Sequence, residues 1–161
     1  MLVPDAAHLL SGAPSWSARR RFRTFLLDLL SDEDRYFQES FAALGIPAAS
    51  WNPPRPKPVT ERFCQFLLVE GASDPYGRRL ATLLAGEWVY RDWASAAVPP
   101  PDPVYRRWVD LHATARFQGF VDWMRNELDA LALSGTEEAL VESRFIQVVA
   151  FEAQFWSEAP R

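Results

Sequence analysis

The sequence predicts an all-α protein folded as one domain over residues 1–161, and three observations carry that prediction. Apolar side chains recur at three- and four-residue spacing through most of the chain. No stretch of strand length alternates apolar and polar residues convincingly. Proline gathers in two clusters, Pro47 to Pro58 and Pro99 to Pro103, which can lie inside neither a helix nor a central strand. Helix-length segments are left between them.

Taken in order, residues 16–44 form one or two helices. Phe22, Phe25, Leu26, Leu29 and Leu30 make one stripe, and Tyr36, Phe37, Phe41 and Leu44 make another. Ser31-Asp32-Glu33-Asp34 is the cap and joint between them, and Gly45 stops the second. Thr60 to Glu70 is a short helix with Phe63, Phe66 and Leu67 on one face. Asp74-Pro75 opens a helix to about Ala97, with Pro75 in its first turn. Asp102-Pro103 opens another, expected to run to about Leu133, where Gly119 marks a kink or a close helix contact. Gly135-Thr136-Glu137 then starts the last helix, to about Glu158. The N-terminal stretch around His8 is weakly determined.

Composition excludes several classes. Apolar residues at 48% and charged residues at 24% are ordinary for a soluble globular chain. A net charge of −4 argues against nucleic acid as a partner, since phosphate binding needs a basic surface. One cysteine rules out an internal disulfide framework. No apolar run reaches eighteen residues, and Met1-Leu2-Val3-Pro4 shows no signal-peptide pattern. A soluble, cytoplasmic protein without a membrane partner is expected. Aromatics at 14%, with seven Trp and eleven Phe, suggest a core or pocket with large flat walls.

Glu152 is the main functional clue. Its helical neighbours at i−4, i−3, i+3 and i+4 are Val148, Val149, Phe155 and Trp156, so its carboxyl should enter a core. Burial raises the pKa of such a group, which is then neutralised, paired or put to chemical use. The plainer alternative is a structural ion pair or a hydrogen-bonded core acid. Glu87 is a second candidate, sharing a stripe with Leu80, Leu83, Leu84 and Arg91. Two carboxylates on one cavity could share a proton and supply an acid and a base. The plainer reading, a surface pair of Glu87 with Arg91 at i,i+4, takes slight precedence. His112 on a Trp- and Leu-rich helix reads as a hydrogen-bonded structural residue before an acid–base group. Cys64 reads as packing, and Arg19-Arg20-Arg21 with Arg23 as a solvated face or an inter-subunit contact. Two His and no Glu-x-x-His pair leave no expected metal, and nothing implies a cofactor.

Four segments in order resemble the TenA/thiaminase II family. Trp108-Val109-Asp110-Leu111-His112, followed by Phe117, Val121 and Trp123, is similar to its Trp-Ile-x-x-Tyr helix, and Phe151 to Trp156 matches its terminal Glu-x-x-Phe-Trp segment. Leu84-Ala85-Gly86-Glu87-Trp88-Val89-Tyr90 lies where the family carries Leu-Pro-Cys-x-Trp-x-Tyr. Upstream, Glu33 through Leu44-Gly45-Ile46, a proline-rich loop and Thr60-x-x-Phe63 follow the family's order. The resemblance is clearest over residues 30–158. It implies a haem-oxygenase-like helical bundle, usually tetrameric, that hydrolyses aminopyrimidines from thiamin breakdown, or thiamin itself.

By this resemblance Glu152 falls on the catalytic glutamate and Tyr90 on the tyrosine that orients the nucleophile. Gly86 falls on the nucleophilic cysteine, so that thiol is absent, and Glu87 beside it would compensate. His112 and Phe63 take the places of pocket aromatics. Trp88, Trp93, Trp108 and Trp123 read mostly as core, though one or two could stack on a planar ring, and Trp88 is the one placed in the expected substrate-binding set. The opening helices, which supply an aspartate for the substrate amino group, are expected to be missing. Asp28 echoes that aspartate's motif but lies too close to the Glu33–Gly45 segment to be in register. The surfaces those helices would cover point to a homo-oligomer. Two functions follow: a cysteine-less aminopyrimidine or thiamin-related hydrolase of thiamin salvage, or a non-catalytic ligand-binding or regulatory bundle that keeps the pocket.

Overall fold

A computed structural model describes residues 3–51, 56–70 and 73–158. Among them there are only helices: α1 (Val3–Gly12), α2 (Trp16–Asp28), α3 (Asp34–Ala43), α4 (Pro58–Gln65), α5 (Tyr76–Ala96), α6 (Pro103–His112), α7 (Ala115–Asp129) and α8 (Gly135–Ser157). α2 passes into α3 without a loop, through a π-helical turn at Leu29–Glu33, and a second π turn, Phe66–Glu70, extends α4. Gly45 (φ +70°) ends α3 in the left-handed conformation that its missing Cβ permits.

α5 is the axis of the bundle. Every residue from Leu80 to Glu87 is buried, so the helix has no solvent face there. It packs along α8 and α7 and against α1 and α6, while α1 lies on α2. One core cluster joins Leu9, Phe22, Phe25, Leu80, Leu83, Leu84, Phe120, Val121 and Met124. Phe22 meets Trp123 edge-on at 5.2 Å, and Phe25 stacks on Phe120 at 4.6 Å. A second cluster, Phe63, Phe66, Leu67, Ala85 and Val148, sits where α4 and its π turn meet α5 and α8. Asp74 braces the α5 entrance to α8: its carboxylate lies 2.9 Å from Arg78 and 2.8 Å from Arg144.

Three expectations are corrected. The helix from Pro103 does not run to Leu133. It stops at His112, and Thr114 caps a new helix through its Oγ, which accepts from Phe117 N at 3.2 Å. Gly119 marks no close helix contact, since a Cβ there would meet nothing within 4 Å. Pro75 is the N-cap of α5 rather than part of its first turn, because Asp74 is engaged by the two arginines.

α8 begins with a reciprocal cap. Ser134 Oγ accepts from Glu137 N at 3.4 Å, and Glu137 Oε2 accepts from Ser134 N at 2.8 Å. Ser134→Ala is expected to lower the melting temperature by about 2–4 °C and leave the circular dichroism spectrum unchanged. A thermal melt monitored at 222 nm checks this.

Candidate active site

Two buried carboxyl groups stand on the helices of the α5–α8 seam. Glu87 on α5 and Glu152 on α8 are each 3% exposed. Gly86 faces this acid: a Cβ built on it would stand 3.7 Å from Glu152 Oε1, an ordinary contact. Tyr90, one turn beyond Gly86 on α5, joins them on the wall of a cavity of about 490 Å³. The same wall carries Trp108 and His112 from α6, and Leu29 and Glu33 from the π turn. The wider π turn re-aims the chain at the junction of α2 and α3, and Glu33 is its last residue.

Four carboxyl groups, Glu33, Asp34, Glu87 and Glu152, therefore line one small space, and no Arg or Lys among the described residues lines it with them. Desolvation lifts the Glu87 carboxyl well above the ordinary glutamate range, and the nearby Glu33 and Glu152 push it further. Burial raises Glu152 to about 7, and raises Glu33 as well. Glu152 Oε2 is buried without a hydrogen-bond partner among the described residues. Near neutral pH such a cluster holds protons, with at least one member neutral and able to donate. Burial, reinforced by Glu152, Glu87 and Glu33, also raises Tyr90, whose phenol stays a neutral donor.

The aromatic wall is tightly ordered. Tyr90 stacks on His112 at 5.0 Å, and His112 meets Trp108 edge-on at 4.4 Å. His112 Nδ1 lies 2.9 Å from the Trp108 carbonyl, an acceptor, so the proton belongs on Nδ1 and Nε2 is left as the acceptor. Burial lowers the His112 pKa, the carbonyl partly opposing it, and the ring is neutral at pH 7.

The sequence-derived candidates separate cleanly. Glu152, Tyr90, Glu87 and His112 are brought together. The surface pair of Glu87 with Arg91 is overturned: Glu87 is buried, and Arg91 turns to Asp92 at 3.0 Å and Asp122 at 2.7 Å. Phe63 lies off the cavity wall, stacked on Phe151 at 5.0 Å in the second core cluster. Trp88 is also away from it, with Arg91 and Arg125 over its ring at 5.0 and 5.1 Å. Cys64 is half-buried and lines neither cavity. Among the described residues no group of His, Cys, Asp and Glu has the arrangement to hold a metal ion.

Sequence reasoning reads Glu33 only as part of a helix joint, whereas its side chain lines the smaller cavity. Arg20 and Arg21, read as part of a solvated face or an inter-subunit contact, are exposed on α2. Both arginines line a second, larger cavity of about 920 Å³ between α2 and the α6–α7 corner. The two cavities share Leu29, Glu33, Glu87 and His112, so they meet at the carboxyl cluster.

The described residues form a helical bundle around an acid-lined cavity. The chain belongs to the TENA/THI-4/PQQC family, whose profile matches residues 2–161. The match therefore takes in α1 and α2, beyond the 30–158 stretch that the motifs carry. Among similar proteins is the aminopyrimidine aminohydrolase of Helicobacter pylori, 23% identical over 146 residues, covering 87% of this chain and 67% of that protein. A second is the aminopyrimidine aminohydrolase of Halalkalibacterium halodurans, 27% identical over 122 residues, covering 72% of this chain and 54% of that one. The TenA homologue protein from P. horikoshii OT3 superposes with a TM-score of 0.83 at 20% identity, over 97% of this chain and 74% of that one, and establishes the bundle fold. No described helix is long and apolar enough to cross a membrane.

Proposed function

We propose that this chain binds a planar aminopyrimidine in the smaller cavity and hydrolyses it, or a thiamin-related molecule, in thiamin salvage without a thiol nucleophile. The observation that carries this is four carboxyl groups, Glu33, Asp34, Glu87 and Glu152, facing one aromatic-walled cavity with no Arg or Lys among the described residues of its lining. An amino-substituted, basic heterocycle supplies the missing positive character and flat shape, and can donate to the unpartnered Glu152 Oε2. Glu152 is the general acid/base, and Tyr90 orients a water. Glu87 and Glu33 hold the second exchangeable proton. In the hydrolysis the water oxygen bonds to the carbon that loses its nitrogen. The nitrogen leaves with a proton from neutral Glu152, and the water's proton passes to an ionised carboxylate. The two aminopyrimidine aminohydrolases support the reading by similarity. A single half-buried cysteine suits a reducing compartment and supports action in the cytoplasm.

Calorimetry and steady-state assays with an aminopyrimidine and with thiamin test the proposal. Heat and turnover together support it. The second reading, a binding or regulatory bundle, is favoured by the bare Cα at Gly86, and heat without turnover would select it. No heat with either compound would overturn both.

We also propose a homo-oligomer assembled through α8. The sequence predicts a buried stripe here, but only Val148 and Glu152 of it are buried: Ile146 is 58% exposed and Trp156 44%. Ile146, Val149, Ala153 and Trp156 follow a three–four spacing, and no charged residue interrupts the exposed face from Ser143 to Ser157. Such a face can pair with itself in a second copy about a two-fold axis. Sedimentation should show a dimer or larger for the wild type, and Ile146→Glu with Val149→Lys should give a smaller folded species. A wild-type monomer at micromolar concentration would end this proposal.

A further inference from the structure

The larger cavity has a charge gradient that the proposed aminopyrimidine does not use. At its inner end are Glu33 and Glu87; at its outer end are Arg20, Arg21 and Arg116. Arg20, Arg21, Asp28 and Asp32 recur at helical spacing on one face of α2 and its π continuation, so they line one side of a groove in register. The two outer carboxylates are already engaged: Arg116 holds Asp28 at 2.6 Å, and Arg35 holds Asp32. Arg20 and Arg21 have no ion pair among the described residues, although Arg21 lies over the Trp123 ring at 5.1 Å. Thr24 and Ser17 add hydroxyls to the same wall.

Length matters as much as charge. Arg21 and Glu33 are twelve residues apart on one continuous helix, roughly 18 Å along its axis at the ordinary rise. A lone pyrimidine at the carboxyl cluster would leave most of the 920 Å³ cavity to water. A cationic second ring would meet guanidinium groups at the outer end, and the free thiazolium of thiamin is such a ring. An anionic group would instead be received by side chains that pair well with phosphate and carboxylate oxygens.

We propose that the substrate is a two-part molecule: an aminopyrimidine held at Glu33, Glu87 and Glu152, joined to an anionic group, a phosphate ester or a carboxylate, held by Arg20 and Arg21. This rests on the pyrimidine reading of the inner site and names the part of the substrate that reading leaves open.

The test is calorimetry at low and high salt with three compounds: a 4-amino-5-hydroxymethylpyrimidine, its phosphate monoester and its carboxymethyl ether. The inference expects at least one anionic compound to bind ten-fold or more tighter than the alcohol, with the advantage shrinking as salt rises. The better of the two anions identifies the group. Arg20→Ala with Arg21→Ala should abolish the advantage and leave alcohol affinity within two-fold, and both positions are exposed on a helix where alanine is well tolerated. Equal affinity of all three compounds overturns the inference and leaves the pyrimidine reading standing. An advantage that survives the double variant also overturns the assignment to these arginines. No binding by any of the three overturns the pyrimidine reading and this inference with it.

Discussion

Glu152→Gln is expected to abolish turnover, by 10³-fold or more, and to make the protein more stable above neutral pH. The first effect follows from removing the only titratable function of the side chain while keeping its volume. A positioned acid/base group typically contributes 10²–10⁴-fold, and here the same group would also lose its hold on the substrate amine. The second effect follows from linkage. Burial raises Glu152 from 4.5 to about 7 in the folded protein. Between those values the unfolded chain is ionised while the folded chain keeps its proton, so stability falls as pH rises from about 4.5 to 7. Above 7 the whole penalty is present, on the order of 3 kcal/mol at 1.36 kcal/mol per pKa unit. Glutamine does not carry it. Melting curves should therefore separate wild type from variant at pH 8 by several degrees and coincide at pH 4. Asp5, lifted to about 7 chiefly by burial against the opposing pull of Arg79, has the same sign, so the wild type itself should melt higher at pH 5 than at pH 8. Coincident curves at pH 8, or full activity of the variant, would contradict this account of Glu152.

Gly86→Cys is expected to raise hydrolysis of an aminopyrimidine by about 10²-fold, since an activated nucleophile divides one hard step into two. The backbone accepts the change. A Cβ at residue 86 meets only Glu152 Oε1, at 3.7 Å, an ordinary contact, and a mid-helix glycine gives up little when replaced. The new thiol would stand beside the buried carboxyl that can take its proton, with the Tyr90 phenol one turn away. In a Cys64→Ser background, iodoacetamide should modify the variant once and remove the gained activity. Cysteine at 86 with no gain in rate, while binding is retained, would mean that the cavity does not present the substrate's reacting carbon to α5.

Legibility in the sequence differed from residue to residue for identifiable reasons. Glu152 was readable because it is an isolated charge whose i−4 neighbour, Val148, belongs to the core. Glu87 was ambiguous. The helical spacing that puts it with Leu80 and Leu84 also offers Arg91 as a partner, and nothing local reveals that Arg91 reaches Asp122 on another helix. Glu33 was hidden by the π turn, which shifts the face on which a residue emerges relative to a 3.6-residue count. The break between α6 and α7 carried a signal, the capping Thr114, but the apolar spacing from Trp108 to Trp123 continues across it. Residue type and order alone place Phe63 and Trp88 in the pocket. Each aromatic had several apolar surfaces to choose from, and packing chose the second core cluster for one and two arginines for the other.

Local features are fixed by local residues: helices by apolar spacing, their ends by proline, glycine and capping residues, and the burial of one acid by its immediate neighbours. Convergence was decided only by tertiary structure. That Glu33, Glu87 and Glu152 share a cavity, and that Arg20 and Arg21 open onto its extension, depends on how α2, α5 and α8 sit against one another. Those placements are set by the fit of Phe22, Leu84, Phe120 and Val148 into non-local partners, and spacing along one helix carries no information about a partner sixty or a hundred residues away.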